Sequence, residues 1–177
     1  MTVGNLGATQ QKSIKRLLAF SSIAHAGVMM IAVLAVSKAS MTNVFIYLLA
    51  YSLATIILFT WFMHFADKKG LSDISSFNGL GKTNPFLAAT STLALLSLAG
   101  IPITAGFFGK YYIFYNAMNQ GYIWLVILGL LNSAIAIYYY LGLIIAMYFK
   151  EPSETKSQGD DLPILHKLVI AGCAIGI

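Results

Sequence analysis

Long apolar runs separated by short polar stretches organise this 177-residue sequence. Apolar segments fall at about 17–36, 44–66, 85–119, 122–149 and 162–177. Runs of about 18 or more apolar residues mark helices that cross a bilayer, not the one-sided helices of a water-soluble core. The polar stretches between them read as loops. Residues 37–43 form a short one, and residues 67–84 form a longer one rich in Gly, Ser and Asp, with a short amphipathic turn at 74–80. Residues 150–161 are charged and contain Pro and Ser. Residues 1–11 are polar and glycine-containing and read as a lead-in, and the last apolar segment is short, so the sequence reads as a piece truncated at both ends.

The segment at 85–119 is interrupted. Pro85 suits the first turn of a helix, and the run stays apolar to Ala99. Gly100, Pro102, Gly106 and Gly109 then follow within ten residues. Pro102 lacks an N–H and clashes with the carbonyl of Leu98, so a helix must break near 100–106. Each half is too short to cross alone, since a transmembrane helix needs roughly 17–25 residues.

Charge decides how the halves are used. If they cross together, Lys12, Lys15, Arg16, Lys68, Lys69, Lys82, Lys150, Lys156 and Lys167 fall on one side. These are nine of the 11 basic residues; Lys38 falls opposite and Lys110 lies inside. That asymmetry fits the positive-inside rule, with the nine on the cytoplasmic side. Two separate crossings would move Lys150, Lys156 and Lys167 to the other side. The expected architecture is an all-α polytopic membrane domain, in one piece over 1–177, with one discontinuous transmembrane helix.

Composition agrees. Apolar residues make up 58% of the chain and charged residues 10%, against roughly 25% charge in soluble domains. The net charge of +5 does not point to nucleic acid, because the basic residues flank apolar runs instead of forming a patch. The one cysteine, Cys173, lies in an apolar run, which excludes a disulfide framework. Histidines at 25, 64 and 166 are too scattered for a metal site. There is no nucleotide loop, flavin fingerprint or Ser-His-Asp arrangement, so no catalytic residue is assigned.

The chemistry concentrates on a few intramembrane residues. Lys110 is the only charged residue between Pro85 and Lys150 and sits just after the break. A lysine at the bilayer centre costs about 2.5–3.5 kcal/mol by insertion scales, and such residues mark ion paths. His25 lies midway along the first apolar run, with Ser21 and Ser22 on the same helical face. Its ordinary titration range suits proton relay, and it serves equally as an interhelical hydrogen-bonding group. Lys15 is a path candidate or a flanking charge. Tyr47, Tyr51 and Thr55, four residues apart, put hydroxyls on one face, and Asn132 and Tyr140 do so on the segment 122–149. They are candidates for a polar axis or for interhelical hydrogen bonds. His64 reads as interfacial, and Tyr138-Tyr139-Tyr140 as partly an interfacial aromatic belt.

Two motifs carry a resemblance. Residues 15–27, KRLLAFSSIAHAG, resemble the KRxLAYSSxxHxG helix of the antiporter-like membrane subunits of proton-translocating NADH:quinone oxidoreductase (complex I), with Phe20 in place of tyrosine. Residues 96–110, LSLAGIPITAGFFGK, resemble that family's LxGIPxTxGFxGK break, and Gly4 to Lys12 resembles its lead-in. The likeness runs from about residue 4 to residue 150. Relatives of the L-type carry a His-xxx-His-xxx-Lys row where Tyr47, Tyr51 and Thr55 stand, and the M-type has glutamate at the place of Lys110. The N-type is the better match.

The resemblance implies that this chain holds most of the second five-helix repeat of an antiporter-like fold. It implies a proton path through Lys110, with His25 and Lys15 near it. It implies other complex I membrane subunits as partners, alongside the lipid bilayer and protons. It places NADH, flavin, iron–sulfur clusters and quinone on other subunits, with no cofactor bound by this chain. A cation/proton antiporter or membrane-bound hydrogenase subunit shares the motifs. A structural subunit in which Lys110 only packs is the third reading. The piece is not expected to fold alone, because half of its polar axis would face lipid.

Overall fold

The computed structural model describes residues 1–35, 40–69, 73–151 and 163–177, excepting the side chains at 40, 61, 63–69 and 76. Lys38, Lys156 and most of the 150–161 loop lie outside the described residues, as do the side chains of His64, Lys68 and Lys69.

Among the described residues the fold is helical. Helix α1 is Thr2–Thr9, α2 is Ile14–Leu34 and α3 is Ser40–Lys69. A 3-10 turn at Ile74–Phe77 and a single helical turn, α4 (Leu80–Thr83), lead to α5 (Pro85–Ala99). Helices α6 (Ala105–Asn119), α7 (Ile123–Phe149) and α8 (Ile164–Ile175) follow. Among the described residues, three stretches are long and apolar enough to cross a membrane: Ile14–Leu34, Met41–Thr60 and Ile123–Phe149.

Helix α1 corrects the reading of residues 1–11 as a lead-in without helix. Its two glycines allow it to lie directly on α2. A Cβ at Gly4 would stand 2.7 Å from the Phe20 carbonyl oxygen, and one at Gly7 would stand 2.5 Å from the Phe20 ring. Small residues at such spacing let helix backbones approach closely inside a membrane.

Backbone hydrogen bonds define the two ends of the bundle. The Ile74 N–H donates to the Lys12 carbonyl at 2.9 Å, and the Gly79 N–H donates to the Ala146 carbonyl at 3.2 Å. Ser13 and Asp73 form an isolated antiparallel bridge. The start of α2, the loop before α5 and the end of α7 therefore share one end. At the other, the Asn116 side-chain amide donates to the Ala35 carbonyl at 2.9 Å, joining the end of α6 to the end of α2. Helix α5 starts at the first end and α6 finishes at the second, so the two make one crossing between them. Each has 15 residues, about 22 Å of helix at 1.5 Å per residue, short of the ~30 Å hydrocarbon core.

The interior is layered. One apolar cluster joins Leu17 and Leu18 of α2 to Ile57, Leu87, Leu95, Leu143 and Met147. A second joins Val28 and Ile31 of α2 to Tyr47, Ile113 and Phe114. Along α2 the residues between the clusters include buried Ser21 and His25. The outer faces remain apolar, with Met30, Phe45, Trp124, Leu131 and Phe149 all exposed. Apolar outside and polar at mid-depth inside is the arrangement lipid demands of a helical membrane protein that buries polar groups.

Candidate functional site: a lysine-capped helix break beside a caged histidine

The break is closed by a full set of hydrogen bonds. Helix α5 ends at Gly100, which adopts the left-handed conformation (φ 80°, ψ 44°) that glycine takes without penalty. The last four carbonyls of a helix lack intrahelical partners and, in lipid, must find others. The Gly100 N–H donates to the carbonyls of Leu96 and Ser97 at 3.0 Å each, and the Ile101 N–H donates to Leu96 at 3.0 Å. The Lys110 ammonium donates to the other two, Leu98 at 2.8 Å and Ala99 at 3.1 Å. A side chain from α6 thus caps α5, and its positive charge faces the negative end of the α5 dipole.

The start of α6 is equally provided for. Thr104 is its N-cap, its hydroxyl accepting from the Phe107 N–H at 3.4 Å. The Gly106 N–H donates to Ser97 Oγ at 3.2 Å, and the Ala105 N–H donates to the Ile177 carbonyl of the α8 end at 2.7 Å. A Cβ on Gly106 would stand 2.0 Å from the Ser97 carbonyl oxygen, so only glycine permits this approach of α6 to α5. Ile103, just after Pro102, has a φ of 88°. That is a strained value for a β-branched residue, and its side chain is 95% exposed.

His25 is held differently. Its Nδ1 lies 2.5 Å from Tyr47 Oη on α3, and its Nε2 lies 3.1 Å from Tyr140 Oη on α7. Tyr140 is hydrogen-bonded in turn to Ser21 Oγ on α2. The Tyr51 ring packs against the imidazole, with centroids 4.9 Å apart. His25, Tyr47 and Tyr140 are all buried.

His25 and Lys110 meet across a crevice of about 10 Å³, lined also by Asn5, Asn132, Ser133 and Tyr139. That volume is near the roughly 10–15 Å³ one water needs, and the walls offer it polar partners. Behind the crevice, the Asn5 side-chain amide donates to Asn132 Oδ1 at 3.0 Å and to the Asn132 carbonyl at 2.9 Å. Tyr139 Oη donates to Asn5 Oδ1 at 3.1 Å, and the Asn132 amide donates to Thr2 Oγ1 at 3.2 Å and to the Leu128 carbonyl at 2.8 Å.

The structure therefore brings together Lys110, His25, Tyr47, Tyr51, Asn132 and Tyr140. It sets apart others proposed from the sequence. Lys15 is exposed at the start of α2, its Nζ 4.9 Å from the Phe62 ring centroid. The Thr55 hydroxyl turns back onto α3, donating to the carbonyls of Tyr51 and Ser52 at 2.9 Å each, the usual competition of a threonine with its own helix. Ser22 does the same, donating to Ala19 at 2.7 Å. Gly109 lies within α6, not in the break; a Cβ there would meet Tyr47 Cδ2 at 2.9 Å, so it serves the α3–α6 contact. Of the three consecutive tyrosines, Tyr138 is exposed, whereas Tyr139 and Tyr140 point inward. Asn5 and Ser97 belong to the site without having been singled out, and Tyr139 belongs to it although the sequence reads it as part of an aromatic belt. The two-glycine spacing around Asn5 was the available signal.

The fold and the site define a class: multi-pass helical membrane proteins that bury a lysine at the break of a discontinuous helix, here beside a histidine held by hydroxyls. Over residues 1–136 the chain matches the family described as NADH:quinone oxidoreductase/Mrp antiporter, TM, and it belongs to that family. It is similar to NADH-quinone oxidoreductase subunit N of Flavobacterium johnsoniae, with 45% identity covering 89% of this chain and 34% of that protein. A chain of respiratory complex I from Thermus thermophilus with bound aureothin superposes with a TM-score of 0.81 and 36% identity, covering 98% of this chain and 39% of that one. A chain of the Mrp complex from Dietzia sp. gives a TM-score of 0.80 at 26% identity, covering 88% of this chain and 29% of that one. The chain spans about a third of the length of the curated relatives it matches. It is a multi-pass integral membrane protein of the bacterial cell (inner) membrane.

Proposed function

We propose that this chain is a C-terminal fragment, about a third in length, of an N-type, proton-translocating subunit of NADH:quinone oxidoreductase. In this reading it works beside other antiporter-like membrane subunits and couples electron transfer from NADH to quinone to proton movement. The observation that carries the proposal is Lys110, a cation buried at a helix break, with two of its three donors on carbonyls and the crevice toward His25 beside it. Lys110 and His25 form the path, and Asn132, Tyr47 and Tyr140 line it. NADH, flavin, iron–sulfur clusters and quinone are assigned to other subunits of the complex, following the family.

The antiporter reading draws support from the Mrp likeness. Against it stand Tyr47, Tyr51 and Thr55 where related antiporter subunits carry histidines and a lysine. The two readings separate in membrane vesicles containing the full-length protein with its natural partners. Acidification driven by NADH and abolished by a quinone-site inhibitor supports the proposal. Proton movement driven by an imposed sodium gradient, and indifferent to NADH, overturns it in favour of the antiporter.

A further inference from the structure

His25 stands in the middle of a hydrogen-bonded chain that passes through three helices. Ser21 Oγ of α2 is bonded to Tyr140 Oη of α7, and Tyr140 Oη lies 3.1 Å from His25 Nε2. On the other side His25 Nδ1 lies 2.5 Å from Tyr47 Oη of α3. All four side chains are buried.

The choice of partners matters chemically. A neutral imidazole needs one donor and one acceptor around it, and an imidazolium needs two acceptors. Carbonyls on both sides would suit only the cation. A hydroxyl both donates and accepts, so hydroxyls on both sides suit either state, and only O–H bonds need turn.

We propose that Tyr140, backed by Ser21, is a positioning residue for proton transfer at His25, its rotating O–H keeping the imidazole fully hydrogen-bonded in both charge states. This rests on the proton-path reading above. With His25 neutral, Nδ1–H donates to Tyr47 Oη, and the Tyr140 O–H donates to Nε2. On uptake the Lys110 ammonium gives up one proton across the crevice and His25 gains one, carried as an N–H at Nε2, while the Tyr140 O–H turns to Ser21 Oγ. Lysine is left as a neutral amine and histidine as imidazolium, which now donates to Tyr140 Oη. No tyrosinate forms, and the proton count is unchanged.

Among the described residues, the titratable groups facing His25 or its crevice are Tyr47 and Tyr51 from α3, Lys110 from α6, Tyr139 and Tyr140 from α7, and Met1, which bears the chain's amino group, before α1. Ser21 and Tyr140 hydrogen-bond to each other and Tyr140 to His25, whereas Lys110 supplies the cap of the break. Positioning and structural roles are therefore separable.

The test uses the assembled complex in vesicles, with NADH-driven turnover and pumping followed across pH for wild type, Tyr140→Phe, Ser21→Ala and Lys110→Ala. Tyr140→Phe removes an acceptor from the imidazolium. Pumping is expected to fall about tenfold at the wild-type optimum, and its pH profile to move to acid by about one unit. Ser21→Ala is expected to move the profile in the same direction by less, and carries the test if Tyr140→Phe does not assemble. An unchanged profile in these variants, with or without a uniform loss of rate, overturns the inference. If Lys110→Ala pumps normally, the proton-path reading itself fails. If Lys110→Ala is dead while Ser21→Ala and Tyr140→Phe keep the wild-type profile, only the present inference fails.

Discussion

The two sides of the crevice solve the same problem in opposite ways. Lys110 is held by backbone, through the carbonyls of Leu98 and Ala99 that the break sets free. His25 lies on an unbroken helix and is held by side chains, the phenols of Tyr47 and Tyr140. An ammonium has donors only, so carbonyls suffice, and a broken helix is the place in a bilayer where unpaired carbonyls occur. An imidazole alternates between donor and acceptor and needs partners that do the same. The lysine site is consequently built into the fold, whereas the histidine site is laid upon it. Changes to the backbone that holds the lysine should damage architecture as well as transport, and changes on the histidine side should damage chemistry.

The largest effect is expected at Gly106. Alanine there would drive a Cβ to 2.0 Å from the Ser97 carbonyl oxygen. The halves of the crossing must then separate, and assembled complex in membranes should fall to background on native gels. Near-normal amounts would contradict the close approach.

Next in size is Asn132→Leu, which takes a partner from buried Asn5 and loses the bonds to Thr2 and Leu128. It should destabilise the α1–α7 contact by about 1–3 kcal/mol, seen as a lowered apparent Tm of the purified complex. An unaltered Tm would show that the amide cluster is not structural. Gly100→Ala asks for a left-handed alanine, costing about 1–2 kcal/mol, and brings its Cβ to 3.0 Å from Lys110 Cδ. Its loss of Tm should be smaller than that of Asn132→Leu, with a loss of pumping beyond it because the lysine is pushed aside.

The smallest effect sharpens the comparison from the other side. Thr55→Val removes only bonds within α3 and should leave pumping unchanged and stability within about 0.5 kcal/mol. A strong pumping defect would return Thr55 to the path.

Much of this was legible from the sequence, for physical reasons. A lysine inside an apolar run is costly, so Lys110 could be singled out alone, and Pro102 announced a break that the backbone obeys. What periodicity could not supply was direction. Tyr47 and Thr55 share a face by spacing, yet one reaches His25 and the other bonds its own helix. Lys15 lies ten residues before His25 and faces away, over Phe62. Helix α1 escaped notice because two glycines in eight residues lower helix propensity. Its stability comes from packing on α2, which no local pattern reports. Asn5, Ser97 and Tyr139 acquire meaning only through partners nine to 134 positions away.

The measurement that tests the account most directly is NADH-driven proton pumping by the full complex in vesicles, wild type against Lys110→Ala, with assembly verified. Loss of both turnover and pumping in an assembled complex is the predicted result and places Lys110 on the ion path. Normal pumping would reduce Lys110 to the cap of a broken helix and contradict the account.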